Sequence, residues 1–231
     1  QACLNMHRAR PTAVLFDLDG TLLDSAPDFF RLLNQMLSER QLPELDSTKV
    51  RQQISNGAAA MIQCAFNIDP SDPQSEPLRL QFLERYQQTP AQASRLFEGM
   101  ETLLLWLEQQ QIPWGIVTNK PEKFCRIILR KLKLDTRCST LICPEHVTQS
   151  KPHPEGLLKA CSELNSRPQN SIFIGDHRRD IEAGINAGMT TVAALYGYLT
   201  DTDHADDWHA DQQINHPQQL LDWLKDGTQT G

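Results

Sequence analysis

The sequence lacks any apolar run that approaches the roughly 20 residues of a membrane-spanning helix, so we expect no transmembrane segment. Its first residues, QACLNMHRARP, have no apolar core of the secretory type, and the expected setting is the cytoplasm. An excess of basic residues is also missing. The 22 Lys and Arg face 29 Asp and Glu, and the net charge of -7 argues against nucleic acid as a partner.

Cysteine patterns that would indicate zinc or disulfides are missing as well. The cysteines show neither C-x-x-C nor paired Cys/His spacing, which favours free thiols at Cys3, Cys64, Cys125, Cys138, Cys143 and Cys161. What is present is an ordinary globular composition, with 39% hydrophobic and 22% charged residues. A chain of 231 residues can form one domain with an insertion or two small domains.

The most informative segment is VLFDLDGTLLDS, in which Asp17 and Asp19 follow a short apolar run and precede Gly20. Residues 12–16 predict a buried strand, and side chains two positions apart on an extended chain lie on one side. At about 5 Å and an effective dielectric of about 20, the two carboxylates repel each other by about 3 kcal/mol. A hard cation, a shared proton or a lysine must relieve that repulsion, unless the pair is a solvated turn.

Beyond this motif the chain changes from a helical region to an alternating one. Helices are predicted at residues 27–40, 48–66 and 76–88, with no strand between them. From residue 99 onward, helices at 101–110, 121–133, 154–164 and 178–187 alternate with strands at 113–117, 140–143, 171–174 and 190–195. This alternation predicts an α/β fold built on a parallel sheet.

The helical region is too long for a strand-to-helix connection, since it spans about 70 residues. We therefore predict an inserted α-helical cap domain at residues 29–91 and a core domain split between residues 1–28 and 92–231. In an open parallel sheet, ligands bind at the carboxyl ends of the strands, and the connection leaving the first strand emerges there. The cap is expected to lie over the paired aspartates as a lid.

Further polar residues fall at the same expected edge of the sheet, after or just beyond later strands: Thr118, Asn119, Lys120, Lys151, Asp176 and Asp180. Each has an ordinary structural explanation. The threonine could cap a helix, the loop lysine could be a solvated charge, and Asp180 could simply favour a helix N-terminus. Their convergence at one edge indicates a common site instead.

Together these residue types fit phosphoryl transfer. A carboxylate can attack phosphorus and form an aspartyl phosphate, provided that a cation screens its charge from the incoming dianion. Mg²⁺ is the expected cofactor, with Asp17, Asp19 and Asp176 as its anchors. Lys151 is expected to offset negative charge, and Thr118 with nearby backbone N–H groups to bind phosphoryl oxygens. The full set of phosphate-binding candidates is Gly20, Thr118, Asn119 and Lys151.

These motifs resemble the four ordered motifs of the haloacid dehalogenase superfamily with a helical cap of the first-insertion type: DLDGT from Asp17, TN from Thr118, KP from Lys151, and GD at residues 175–176 with Asp180. The resemblance extends over residues 12–225. It implies a Rossmann-like core in which the strand before Asp17 is flanked by the strands that end at Thr118 and Asp176.

The resemblance also implies roles for the acidic residues. Asp17 would be nucleophile and metal ligand, Asp19 the general acid and base with its backbone carbonyl on the metal, and Asp176 a metal ligand. Asp180 would contact a metal-bound water or the lysine. His177 departs from the superfamily pattern, which usually has a small or acidic residue there, so it is either a rim residue or a contact to phosphate or metal-bound water.

Within the superfamily, DLDGTLLDSAPDF, VTNKP and SKPHPEGLL resemble phosphoglycolate phosphatases. ISNGAAAM, FLERY, LICPEHV and YGY are more similar to a proteobacterial sugar-phosphate phosphatase of cell-wall recycling. The resemblance therefore implies a small phosphorylated metabolite as the partner, either a carboxylated sugar phosphate or phosphoglycolate. It leaves the oligomeric state open.

Other functions fit less well. The halide-removing branch of the superfamily would not normally keep Asp19, whereas a sugar phosphomutase with a similar cap stays open. A signalling receiver domain phosphorylates an aspartate on a later strand than its acidic pair and has no long helical insert. A phosphate-binding module without turnover would not need Asp19.

Substrate choice is expected to depend on the cap and the rim it closes upon. Arg51 could pair with a carboxylate, while Asn56 and Gly57 permit a turn with close backbone approach. Lys120 and His177 are the remaining specificity candidates. The alternative is that Arg51 is a solvated helix charge and that Asn56 and Gly57 form a plain helix break.

Overall fold

The computed structural model describes residues 10–228, and Cys3 lies outside this range. Its strands, numbered in chain order, are β1 (Ala13–Phe16), β2 (Leu23–Asp24), β3 (Arg95–Leu96), β4 (Trp114–Val117), β5 (Thr140–Ile142), β6 (Ser171–Gly175), β7 (Thr190–Ala194) and β8 (Gln212–Ile214). The α-helices are α1 (Ala26–Ser38), α2 (Ser47–Arg51), α3 (Ala58–Phe66), α4 (Ser75–Gln88), α5 (Met100–Gln109), α6 (Glu122–Lys131), α7 (Glu155–Glu163), α8 (Arg178–Ala187) and α9 (Pro217–Thr228).

A parallel sheet with the strand order β5-β4-β1-β6-β7-β8 forms the centre of the protein. Residues of β1 alternate between its two faces. Val14 and Phe16 pack into one hydrophobic cluster with residues of α5, α6 and α9, whereas Leu15 packs into another with residues of α7 and α8. Both faces of the sheet are therefore covered, which explains why β1 is an uninterrupted apolar run.

This architecture confirms the predicted α/β fold with a Rossmann-like parallel sheet. β1 is flanked by β4 and β6, the strands that lead to Thr118 and Asp176. The predicted strands and core helices match the observed ones to within two residues at each end. β8 and α9 are additional, and β8 escaped prediction because it is three residues long with two of them exposed. Within the described residues, no helix is long and apolar enough to cross a membrane.

The helical insert, which we define as residues 26–88, contains α1 to α4. One of the helices predicted within it is wrong. Residues 48–66 were expected to form a single helix, but α2 and α3 are separated by a short 3₁₀ helix, Ile54–Asn56, and by Gly57. Gly57 has φ 87° and ψ -177°, a conformation that L side chains rarely adopt. The Asn-Gly pair thus ends the 3₁₀ helix and immediately precedes α3.

A two-stranded antiparallel ribbon lies where the chain leaves and re-enters the core. β2 precedes α1, and β3 follows the helical insert. Both strands have only two residues, too few for a hydrophobic pattern to reveal them. The predicted boundary between residues 28 and 29 falls inside the first turn of α1, and the division into core and cap domains stays a prediction.

Asp28 ties the two ends of the helical insert together. Its buried carboxylate accepts hydrogen bonds from the backbone N–H groups of Gln92, Ala93 and Ser94 at 2.8 to 3.2 Å, and from the Ser94 hydroxyl. Arg31 donates to the same carboxylate at 3.2 Å. Burial by itself would raise the pKa of Asp28, but the hydrogen bonds from Ser94 and its neighbours hold that pKa below the ordinary value.

We predict that Asp28→Asn lowers the free energy of unfolding by about 2 to 3 kcal/mol, because an amide group cannot accept all of these N–H bonds. Urea denaturation at pH 7 measures the effect. The depressed pKa means that Asp28 stabilises the fold above its unfolded pKa of about 3.9, and that this stabilisation is lost as the pH falls through the lower folded value. The gap between variant and wild type should therefore shrink at low pH.

The control for this experiment is Asp201→Asn, which changes an exposed aspartate in the same way. It should leave the denaturation midpoint close to that of wild type. If Asp28→Asn is as stable as Asp201→Asn at pH 7, the carboxylate does not hold the two ends of the insert together.

Candidate active site

Three carboxylates converge at the carboxyl end of the central strands. Asp17 directly follows β1, Asp176 directly follows β6, and Asp180 lies in the first turn of α8. One oxygen atom from each lies within 4.8 Å of the other two. The Asp19 carboxylate does not belong to this group, and the predicted contact of its backbone carbonyl with the metal stays a prediction.

Local backbone structure explains why these side chains meet. The N–H of Asp17 donates to the Ile174 carbonyl at 2.8 Å, which extends the pairing of β1 and β6 beyond the end of β1. His177 then caps α8. Its N–H donates to Asp180 Oδ2 at 3.1 Å, and its Nδ1 accepts from the Arg179 N–H at 3.1 Å. This capping arrangement turns Asp180 back toward the end of β6.

Asp176 is held from two sides. Its carboxylate accepts hydrogen bonds from the Thr21 hydroxyl at 3.1 Å and from the Tyr198 N–H at 2.8 Å. Two glycines allow this close packing. A Cβ atom at Gly20 would lie 2.1 Å from Asp176 Oδ2, and one at Gly197 would lie 2.2 Å from Asp176 Cβ. Gly20, expected to bind phosphate, thus makes room for Asp176 and does not line the cavity described below.

Lys151 supplies the positive charge of the cluster. Its Nζ lies 2.8 Å from Asp17 Oδ1 and 2.7 Å from Asp180 Oδ1, with only 3% of the side chain exposed. Asn119 fixes the lysine backbone, because its side-chain amide donates to the Lys151 carbonyl at 3.0 Å and its carbonyl accepts from the Lys151 N–H at 3.1 Å. The Asn119 side chain, a phosphate-binding candidate, is therefore already engaged with Lys151.

The carboxylates of the cluster carry more negative charge than one lysine balances. Burial raises the pKa of Asp17 to about 6. The attraction to Lys151 acts in the opposite direction, and the negative charge of Asp180 offsets part of that attraction. Burial also raises the pKa of Asp176, and the nearby charges of Asp17 and Asp180 add to this. A divalent cation bound between these oxygens would lower both pKa values, so the donor set fits a hard cation such as Mg²⁺.

Asp19 and Lys120 form a second, half-buried ion pair, with 18% and 9% of their side chains exposed. Lys120 Nζ lies 3.0 Å from Asp19 Oδ2 and 3.1 Å from Oδ1. The ammonium group also faces two aromatic rings of the helical insert, at 5.1 Å from the centroid of Phe29 and 4.8 Å from that of Tyr86. Lys120, a specificity candidate in the sequence analysis, thus connects the second aspartate to the helices above it.

A cavity of about 450 Å³ lies between the acidic edge and the helical insert. Its floor includes Asp17, Asp19, Thr118 and Lys151. The opposite wall is largely apolar and comes from the insert, with Phe29, Ile54, Ala58, Met61, Phe82, Leu83 and Tyr86. The volume falls within the range of about 300 to 1,000 Å³ that is typical of small-molecule sites. The cavity thus joins a polar, charged end to an apolar wall.

The structure separates the specificity candidates from one another. Asn56, Gly57 and His177 line the cavity. Arg51 does not line the cavity. Its guanidinium lies 3.5 Å from Asp24 and 4.7 Å from the centroid of the Tyr198 ring, so Arg51 pairs with protein groups at the base of the helical insert.

His177 is uncharged near neutral pH, because burial and the nearby Arg179 charge lower its pKa to about 4. Its Nδ1 accepts from Arg179 Nε at 3.1 Å as well as from the Arg179 N–H. The imidazole is therefore engaged with Arg179 at the rim of the cavity.

The residues that support the predicted ones were not among the candidates from the sequence. Tyr198 and Thr21 orient Asp176, and Arg179 lies at the cavity wall. The YGY segment that contains Tyr198 was noted only as a point of resemblance, although a short aromatic-glycine run after a strand is itself a signal of close packing. Arg179 stands beside Arg178 in the sequence, and nothing local distinguishes the arginine that faces the cavity from the exposed one.

A covered parallel sheet with buried carboxylates and a lysine at its carboxyl edge, under a small-molecule cavity, defines an α/β enzyme. The chain belongs to the haloacid dehalogenase-like hydrolase family, whose model matches residues 14–194. This match confirms the predicted superfamily, and together with relatives that are named phosphatases it confirms the predicted enzyme class.

Similar proteins span nearly the whole chain. A Pseudomonas putida protein named N-acetylmuramic acid 6-phosphate phosphatase is 50% identical over 211 residues, which cover 91% of this chain and 95% of that protein. A Xanthomonas campestris protein named phosphoglycolate phosphatase is 44% identical with the same coverage. A crystal structure from Haemophilus somnus, described as a predicted phosphoglycolate phosphatase, has a TM-score of 0.81 and 27% identity, covering 93% of this chain and 98% of that one.

The ion pair of Asp19 and Lys120 leads to a prediction about stability. Lys120→Met keeps an unbranched side chain against the two rings but leaves the half-buried Asp19 without its counter-charge, so the free energy of unfolding should fall by about 1 to 3 kcal/mol. Urea denaturation measures this loss. The double variant Asp19→Asn with Lys120→Met should recover part of it, because no unpaired charge then stays buried.

Lys123→Met is the matched control, because Lys123 also lines the cavity but is exposed and contacts no carboxylate within the described residues. Its stability should stay within about 0.5 kcal/mol of wild type. A double variant that is no more stable than Lys120→Met would contradict the ion pair as the source of the loss.

Proposed function

We propose that this hydrolase is a Mg²⁺-dependent phosphomonoesterase that forms a covalent phosphoryl intermediate on Asp17. One observation carries the proposal. Asp17 lies at the floor of the cavity with an oxygen 2.8 Å from the buried Lys151 ammonium and within 4.8 Å of two further carboxylates. That environment screens a carboxylate nucleophile from a phosphate dianion, which an isolated aspartate could not approach.

The metal would be held by Asp17 and Asp176, with Asp19 expected to add its backbone carbonyl. A bound Mg²⁺ supplies charge neutralisation between the nucleophile and the phosphoryl oxygens. Asp180 supports this group indirectly, since its carboxylate holds Lys151 at 2.7 Å. Because the Asp176 oxygens are fixed by Thr21 and Tyr198, the ligand side of the site is set before any cation binds.

The proposed reaction has two steps. In the first, an Asp17 oxygen attacks phosphorus, the bond from phosphorus to the ester oxygen breaks, and Asp19 donates a proton to the leaving alcohol. In the second, Asp19 takes a proton from water, whose oxygen attacks phosphorus and releases inorganic phosphate and free Asp17. Lys151 and Thr118 stabilise the phosphoryl oxygens in both steps.

The proposed substrate is N-acetylmuramic acid 6-phosphate in cell-wall recycling, as the name of the Pseudomonas putida relative suggests. The cavity supports this choice. Its volume and long apolar wall exceed what a two-carbon acid such as phosphoglycolate requires. One buried hydroxyl of that wall, Ser55 Oγ, makes no hydrogen bond to the described residues, and a sugar ring with its amide offers it a partner.

Phosphoglycolate is the alternative substrate, and the name of the Xanthomonas campestris relative is the observation in its favour. Both substrates combine a phosphate with a carboxylate, so the acidic end of the cavity does not separate them. The apolar wall and the Ser55 hydroxyl do, because phosphoglycolate has no sugar ring to pack against that wall or to supply a partner for the hydroxyl.

Asp17→Asn should abolish turnover, by about 10,000-fold or more, because an amide is a poor nucleophile and removes one charged metal ligand. Phosphate release from an aryl phosphate in the presence of Mg²⁺ measures this. Wild-type turnover should stop on chelation with EDTA and return when Mg²⁺ is added. Asp201→Asn serves as the charge-matched control, and thermal melting confirms that both variants are folded. Substantial turnover by a folded Asp17→Asn enzyme would overturn the covalent mechanism.

The substrate assignment predicts a higher kcat/KM for N-acetylmuramic acid 6-phosphate than for phosphoglycolate, by about 100-fold or more, since binding contacts to the sugar are absent from the smaller molecule. Phosphate release from each compound at the same Mg²⁺ concentration measures the two kcat/KM values. Ser55→Ala should lower kcat/KM for the sugar phosphate more than for phosphoglycolate. A preference for phosphoglycolate would establish the alternative instead.

A further inference from the structure

Arg179 differs from the other positive charges around the cavity because its side chain contacts only uncharged groups. Its Nη2 donates to Asn56 Oδ1 of the helical insert at 3.1 Å, and its Nε donates to His177 Nδ1 at 3.1 Å. Its Nη2 also lies 3.0 Å from His177 Nε2. The guanidinium therefore lies at the cavity wall, where the first turn of α8 faces the segment between α2 and α3.

Most of the other cavity cations already have a protein carboxylate as partner: Lys151 with Asp17, Lys120 with Asp19 and Arg79 with Glu76. Lys123 has none but is exposed, and it contacts the side chain of Gln87 at 3.5 Å. Within residues 10–228, Arg179 forms no ion pair, and its Nη1 makes no hydrogen bond. A negative charge that enters the cavity beyond the phosphoryl group would find Arg179 uncompensated.

We infer that Arg179 binds the carboxylate of the substrate and so determines the preference for a carboxylated sugar phosphate, an inference that rests on the phosphatase function proposed above. A guanidinium presents paired N–H groups in a fork that matches a carboxylate. The substrate carboxylate can pair with Arg179 without breaking an ion pair within the protein. It would replace or share only the neutral hydrogen bond between Arg179 and Asn56.

His177 prepares Arg179 for this role. Because the imidazole accepts from both the N–H and the Nε of Arg179, the long side chain is held along the start of α8. A guanidinium already held in place loses less side-chain freedom when a ligand binds. The departure from the superfamily pattern at His177 thus has a physical consequence in this chain, which is the placement of the neighbouring arginine.

A purely structural role for Arg179 would be a latch between the core and Asn56. Such a latch would affect stability or the rates on all substrates, but it would not distinguish a sugar phosphate with a carboxylate from one without. The ratio of the two kcat/KM values is therefore the quantity that separates the two roles.

The test compares N-acetylmuramic acid 6-phosphate with N-acetylglucosamine 6-phosphate, the same hexosamine phosphate with a hydroxyl in place of the 3-O-lactyl group that carries the carboxylate. We define the ratio as kcat/KM for N-acetylmuramic acid 6-phosphate divided by kcat/KM for N-acetylglucosamine 6-phosphate. Arg179→Ala should lower this ratio by about 10-fold to 100-fold, mainly through a higher KM for the carboxylated sugar. Arg179→Lys, which keeps the charge without the fork, should lower the ratio by a smaller factor and serves if the alanine variant fails to fold.

The matched control is Arg178→Ala, because Arg178 is the neighbouring arginine but is exposed and paired with Glu182 at 2.7 Å. It should leave the ratio unchanged. An unchanged ratio in both Arg179 variants, or an equal fall in Arg178→Ala, would overturn the inference. If the wild-type enzyme hydrolyses neither sugar phosphate, the proposed function fails instead.

Discussion

The interaction on which the rest of the site depends is the contact of Lys151 with Asp17 and Asp180. Three carboxylates within 4.8 Å of one another would repel strongly in a buried setting, and one ammonium at 2.7 to 2.8 Å makes their convergence tolerable. The lysine is itself positioned by the paired hydrogen bonds of Asn119 to its backbone. A residue at the end of β4 therefore controls the electrostatics of carboxylates that follow β1 and β6.

The excess negative charge that Lys151 leaves unbalanced is the physical basis of the proposed cation site. A site that was fully neutral without a cation would have little affinity for one. Here burial raises the pKa of Asp17 and of Asp176, and the charges of the neighbouring carboxylates add to the rise. The second aspartate of the opening motif is treated differently. Asp19 has its own lysine, so the two aspartates avoid mutual repulsion through separate partners, and each stays available for a different step.

Much of this arrangement could be predicted from the sequence, because strand ends in a parallel sheet must meet at one edge. Asp17, Thr118, Lys151 and Asp176 were found in this way. The helix break at Gly57 was considered only as an alternative, and the helix was still predicted across it, because the apolar pattern continues there and a backbone angle leaves no trace in periodicity. Arg51 was misplaced for a related reason. The sequence does not indicate which acidic residue a cation on a short helix will contact, and in the structure Arg51 pairs with Asp24.

The helical insert and the acidic edge are mechanically linked through Tyr198. Its backbone N–H holds Asp176 at 2.8 Å, while its hydroxyl accepts from the N–H groups of Ser25 and Ala26 at the start of α1. The hydroxyl in turn donates to Asp24 at 3.0 Å. Rotation of α1 would disturb the bonds of the Tyr198 hydroxyl, and the backbone N–H of the same tyrosine is one of the two donors that hold the Asp176 carboxylate. One residue thus connects the start of the helical insert to one of the carboxylates of the acidic edge, so the position of α1 and that of the Asp176 oxygens are coupled.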